Sequence, residues 1–241
     1  RDGRLPTRQF ETTRWSVVRA AATGGSQARS ALETLCSTYW HPLYMYIRHR
    51  GNSAEDAKDL IQEFFTRFLE KDYLKDVDQA RGKFRSFLLA SVNHFLANER
   101  DRARTLKRGG AVTFLPVDYD SIEERYAGAA SQTQSAERLF ERAWALATLE
   151  STLARLRQEY TQAGKGSLFE RLKGTLTVQE DRAPYQEMGA ELGLSEGAVK
   201  VAVHRLRRRY RDVLLEEIAA TLAEGEGVDE ELCDLFSAFG T

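Results

Sequence analysis

Residues 185–209, YQEMGAELGLSEGAVKVAVHRLRRR, decide the fold. Met188 and Leu192 lie four apart and give a short helix an apolar face, with Gly189 placed where a second helix must cross closely. Gly193 supplies the left-handed or tight-turn backbone that a side chain penalises. Leu194 is expected to plug the corner and Ser195 to cap the next helix. On that helix Val199, Ala202, Val203 and Leu206 form a seating stripe, and Lys200, Arg205, Arg207, Arg208, Arg209 and Arg211 follow with no acidic residue among them. Helix-turn-helix spacing running into an unbroken basic helix implies nucleic-acid binding, with the second helix in the major groove. The early positions Ser195, Glu196, Gly197, Lys200, Val201, His204 and Arg205 are the candidates for base edges. Arg207, Arg208, Arg209 and Arg211 are expected at phosphates, where they fix register without reading sequence.

The rest of the chain bounds this reading. Its 241 residues allow one or two domains, and a composition rich in Leu, Ala, Glu and Arg with 4 prolines points to an all-α fold. The net charge of −1 argues against a simple basic coat for DNA, but the charges are separated. Arg100, Arg102, Arg104, Lys107 and Arg108 make a second basic segment, whereas residues 215–241 carry eight acidic side chains and no basic one. Cys36 and Cys233 form no CxxC and have no histidine at ligand spacing, so neither a disulfide framework nor a zinc site is expected. No Gly-rich phosphate loop, nucleophile elbow or metal-ligand cluster stands out, and the 4 histidines are scattered. The expectation is a non-enzyme with no catalytic residue, metal or cofactor. No apolar run is long enough to cross a bilayer and no charged-then-apolar leader is seen, which predicts a cytoplasmic chain without membrane insertion.

Hydrophobic periodicity divides the sequence into two helical blocks. In 12–108, Thr13 can cap a short helix through Trp15 and Val18, and a longer pattern runs from Ala31 to Ile47 with Pro42 expected to interrupt it. Gly51, Asn52 and Ser53 make a turn, with Ser53 and Asp56 at capping-box spacing. Ala54–Glu70 presents Leu60, Ile61, Phe64, Phe65 and Phe68 on a broad apolar face. After a loop at 78–82, Phe84, Phe87 and Phe95 align with Leu88 and Val92, so these rings are assigned to the core. Residues 109–135 read as a linker, with a partly ordered piece around Phe114–Val117. In 136–220 a long helix carries Leu139, Phe140, Ala143, Leu146, Leu149, Leu153 and Leu156, is stopped by Gly164 and Gly166, and is followed by a shorter helix over Leu168–Leu176. The acidic extension, 221–241, contains an amphipathic helix whose Leu232, Leu235, Phe236 and Phe239 need cover, so docking onto the chain is expected. The predicted architecture is two helical domains joined by a linker, the second ending in the helix-turn-helix, plus a short acidic C-terminal helix.

Three segments in register resemble bacterial RNA polymerase sigma factors of the extracytoplasmic-function (ECF) class, within the sigma-70 superfamily, across nearly the whole chain. Residues 56–65, DAKDLIQEFF, look like the DxxDxxQExF segment of that class. Phe84-Arg-Ser-Phe87-Leu with Asn93 and the basic run 100–108 looks like its promoter-melting segment, and the helix-turn-helix looks like its region 4. The resemblance implies that Asp56, Asp59, Gln62 and Glu63 face the coiled-coil clamp of core RNA polymerase. It further implies that Asn93, His94, Asn98, Arg100, Arg102 and Arg104 hold opened promoter DNA, where stacking, edge hydrogen bonds and cations are needed together. Promoter DNA and core RNA polymerase are then the expected partners, with an anti-sigma protein as a further candidate. The alternative is a helix-turn-helix regulator that binds duplex DNA without being a polymerase subunit.

Overall fold

The structure is a computed structural model that describes residues 26–70, 83–103, 119–129, 134–176, 185–219, 222 and 227–240. The described residues are helical and contain no strand, as the composition predicts. The helices are α1 (Ser26–His49), α2 (Ala54–Glu70), α3 (Phe84–Ala103), α4 (Tyr119–Ala129), α5 (Ala136–Gln162), α6 (Gly166–Leu172), α7 (Tyr185–Leu192), α8 (Glu196–Ala219) and α9 (Val228–Ser237), with a 3-10 turn at Lys173–Leu176. The short helix expected at Trp15–Val18, the loop at 78–82 and the piece around Phe114–Val117 lie outside the described residues. Those from Thr148 to Glu217 form one compact unit, here the helix-turn-helix unit. Those up to Ala147, together with those from Ile218 onward, form a second, here the aromatic unit.

The aromatic unit is built on rings. Tyr39, Trp40, Leu43, Tyr46 and Ile47 of α1, Ile61, Phe64, Phe65 and Phe68 of α2, and Phe84, Leu88, Val92 and Phe95 of α3 are all buried. Trp40 stacks on Phe65 with centroids 5.5 Å apart, and Phe64 meets the edge of Phe95 at 5.6 Å. Phe84 and Phe95 are thus core, as their spacing predicts, and half-buried Phe87 packs against Phe68 and Phe84. Pro42 does not interrupt α1, which runs through it. The missing N–H costs about 3 kcal/mol in an isolated helix, but neighbours Tyr39, Trp40, Leu43 and Tyr44 are all buried, and their packing holds the backbone in place. Gly51 ends the helix with φ +89°, and the Asn52 side chain donates to the Ile47 carbonyl at 2.7 Å. Ser53 then caps α2: its Oγ accepts from the Asp56 N–H at 3.0 Å and donates to the Asp56 carboxylate at 2.7 Å.

Within the stretch read as a linker, α4 is a helix held on α1. Glu123 receives the Arg48 guanidinium at 2.6 Å and the Tyr44 hydroxyl at 2.5 Å, while Arg48 lies 4.8 Å over the Tyr126 ring. The Arg48 hydrogen bonds hold the Glu123 carboxyl below its ordinary range. This helix is fastened by polar groups and one ring, so apolar periodicity does not reveal it. Ser135 caps α5, accepting from the Arg138 N–H at 3.2 Å. Leu146, expected on the buried stripe of that helix, is 39% exposed. Trp144 and Ala145 are buried in its place.

In the helix-turn-helix unit, Leu156, Phe169, Leu172, Met188, Val199, Val203, Leu206 and Val213 form one core. Gly164, at φ +69°, ends α5, and the Lys165 N–H reaches back to the Tyr160 carbonyl at 2.7 Å. Gly166 does not act as a second stop but opens α6.

Candidate nucleic-acid interface

The turn between α7 and α8 is closed by backbone. Gly193 sits at φ +65°, and the Leu194 N–H donates to the Gly189 carbonyl at 2.8 Å. A Cβ on Gly189 would lie 2.6 Å from the Leu194 carbonyl oxygen, so only glycine lets the two helices approach this closely. Leu194 does not plug the corner: its side chain is 39% exposed, because the backbone contact with Gly189 already fills that space. Ser195 caps α8 as expected, with its Oγ accepting from the Ala198 N–H at 3.2 Å. Val199, Val203 and Leu206 are buried and Ala202 is half-buried, so the seating stripe is in place.

The opposite side of α8 is open. Glu196, Gly197, Lys200, Val201, His204, Arg205 and Arg208 are all exposed, as is Ser195 ahead of them. At about 100° per residue they form one continuous arc, with Glu196 and Lys200 toward one edge, His204 near the middle and Arg205 at the other edge. Lys200 pairs with Glu196 one turn back at 2.7 Å, which raises its pKa and keeps it charged. Gly197, Val201 and Arg205 also border a groove of about 540 Å³, completed by Glu159, Tyr160, Lys165 and Leu168 from α5, the following turn and α6. The groove is not legible in the sequence, since its far wall is distant in the chain.

The arginine run divides. Arg208 and Arg211 are exposed and form no ion pair with a described residue. Arg207, expected at phosphate, instead donates to the Thr175 carbonyl at 2.9 Å and 3.2 Å. Arg209, also expected at phosphate, is held by Glu159 at 2.8 Å and Glu216 at 3.1 Å. These contacts, Glu159 first, raise its pKa. Consecutive residues on a helix point about 100° apart, so a run of arginines cannot share one face. Two of them brace the unit, and Arg155 extends that brace to Glu217 at 2.7 Å.

The two segments in the aromatic unit are less open. On α2, Asp56 is exposed but engaged with Ser53, and Asp59 is exposed. Gln62, expected on the same outward face, is 4% exposed. Each three-residue step falls about 60° short of a full turn, so Gln62 has rotated about 120° from Asp56, onto the flank of the apolar arc. Glu63 is half-buried and takes Arg67 at 2.6 Å; Arg67 in turn reaches Glu99 of α3 at 2.7 Å. On α3, His94, Asn98 and Arg100 are exposed. Asn93 is half-buried, its Oδ1 accepting from the Tyr46 hydroxyl at 2.6 Å and from Arg50 at 3.0 Å. The Arg102 side chain and all of Arg104 lie outside the described residues.

This chain is similar to a sigma factor. It is 25% identical over 201 residues, 83% of this chain and 68% of the other, to the protein named ECF RNA polymerase sigma factor SigE of Mycolicibacterium smegmatis. No protein-family profile matches the chain, and no solved structure matches it. The similarity spans more of the chain than a helix-turn-helix alone could occupy. Among the described residues no group of three or more His, Cys, Asp or Glu could hold a metal ion, and no helix is long and apolar enough to cross a membrane.

Proposed function

We propose that the chain is an ECF-type sigma factor, which binds core RNA polymerase, directs it to promoters and acts in the cytoplasm. On this reading residues 12–108 carry polymerase binding and promoter opening, and 136–220 carry recognition of an upstream promoter element. The observation that carries it is the exposed arc of α8, Lys200, Val201, His204, Arg205 and Arg208, presented by a turn that only Gly189 and Gly193 permit. The similarity to a sigma factor across both blocks favours a polymerase subunit over a free-standing regulator. Exposed Asp59, and Asp56 beside it, are the polymerase contacts of α2 on this reading, with Glu63 at the margin. On α3, His94, Asn98 and Arg100 face the opened strand, and Asn93 offers its amide N–H groups while its oxygen is occupied.

Run-off transcription with core polymerase and a randomised promoter library tests this reading. Promoter-directed transcripts that appear only when the protein is added are expected, and Lys200→Ala should change the preferred upstream element. A good base contact is worth about 1–3 kcal/mol of discrimination. Specific duplex binding by the protein alone, with no stimulation of transcription, would establish the regulator reading.

A further inference from the structure

The C-terminal helix α9 is fastened to the aromatic unit mainly by charge. Glu231, 1% exposed, pairs with Arg85, itself 6% exposed at the side chain, and with Lys83 at 2.5 Å. Asp234 adds a second contact to Lys83 at 2.6 Å. The Arg85 guanidinium also takes Glu141 of α5 at 2.9 Å and lies 4.1 Å over the Trp144 ring. By contrast, Leu235 is the one buried apolar side chain on α9, and Phe236 is 55% exposed. Ten residues with so little apolar burial do not make a firm helix alone. Salt screens the exposed Asp234–Lys83 contact of this fastening, while the buried Glu231–Arg85 pair is screened much less.

What α9 covers is the head of α3. Lys83 precedes the helix and Arg85 lies in its first turn, which has no acidic residue. Two cations there make a chemistry that suits the phosphates of a nucleic-acid strand, while Arg85 covers the Trp144 ring, itself 3% exposed. The carboxylates of α9 stand where the phosphates would.

We propose that α9 is an autoinhibitory clasp whose Glu231 and Asp234 occupy a phosphate-binding site for a nucleic-acid strand formed by Lys83 and Arg85. This extends the proposed function to its regulation, since α3 also bears Asn93, His94, Asn98 and Arg100. The clasp nevertheless has its own test, in which no polymerase or promoter takes part.

The test uses the full chain and a fluorescein-labelled thymidine oligonucleotide. A nitroxide on exposed Cys233, in a Cys36→Ser background, reports the freedom of α9. Combining Glu231→Gln with Asp234→Asn should free the nitroxide and tighten oligonucleotide binding about tenfold at low salt, with a salt dependence that steepens as more phosphates are neutralised. Adding Lys83→Ala to that pair should abolish the tightening. Glu230→Gln, which removes the same charge from an exposed position, should leave binding unchanged. Should the double substitution unfold the chain, Asp234→Asn alone, at a half-exposed site, is expected to tighten binding about threefold. A freed α9 with no tightening overturns the proposal, and so does equal tightening by Glu230→Gln. Failure of the transcription assay would leave the clasp result standing.

Discussion

The helices α8 and α3 both carry basic and apolar residues, yet they handle their polar groups in opposite ways. On α8 the arc from Glu196 to Arg208 faces outward, and the apolar stripe seats it with little polar cost. On α3 Arg85 is buried against Glu231 and Glu141, and Asn93 is tied to Tyr46 and Arg50. The contrast belongs to the two helices and not to the units around them, since the helix-turn-helix unit also buries Thr152, Thr175 and Glu217, and the aromatic unit also exposes Asp59, His94 and Asn98. A buried polar group needs a specific partner, so its position is decided by another element.

The contrast between buried and exposed polar groups is sharpest in acid. His41 lies in the aromatic unit with its Nε2 buried and without a hydrogen-bond partner among the described residues, and burial, helped by Arg125, lowers its pKa to about 4. The unfolded chain therefore binds more protons than the folded one between pH 6.5 and 4, and stability falls as pH drops through that window. The loss attributable to this group is on the order of 3 kcal/mol. His41→Phe should flatten the decline, measured by urea unfolding at stepped pH with a ring signal from the aromatic unit. An unchanged pH profile would break the contrast.

In the other unit the largest effect should come from Gly189→Ala, whose methyl meets the Leu194 carbonyl and not a movable side chain. A loss of about 2–3 kcal/mol is expected in denaturant melts, while Gly197→Ala, with open space around it, should change stability by less than about 1 kcal/mol. Between Asp59 and Gln62 the difference is smaller and opposite in kind. Gln62→Ala should cost about 1–2 kcal/mol, because its side chain is buried and not solvated. Asp59→Ala should stay within about half a kcal/mol in stability and lower core-polymerase affinity in a pull-down titration. The smallest pair is Arg209→Ala, expected to cost about 1 kcal/mol of stability, against Arg208→Ala, expected to leave stability alone. Arg208→Ala should weaken binding to all DNA sequences alike and reduce the salt slope by about one; a stability loss there would erase the division within the arginine run.

The sequence by itself determined the helical class and the helix-turn-helix. Its turn depends on Gly193 and Ser195 and on the Gly189 approach, all set by sterics within a few residues. The aromatic cores of α2 and α3 were legible for a similar reason, since Phe64, Phe68, Phe84 and Phe95 repeat at helical spacing and rings seek burial. Tertiary structure alone decided the rest. Helix α4 depends on Arg48 and Tyr44 far upstream. The assignment of Arg209 to Glu159, Arg207 to Thr175 and Arg85 to Glu231 likewise joins residues remote in the chain. A charged residue reads the same in sequence whether it meets solvent, a ligand or an internal carboxylate. What separates these fates is the distance to a partner that only folding brings near, together with the desolvation that makes the partner necessary.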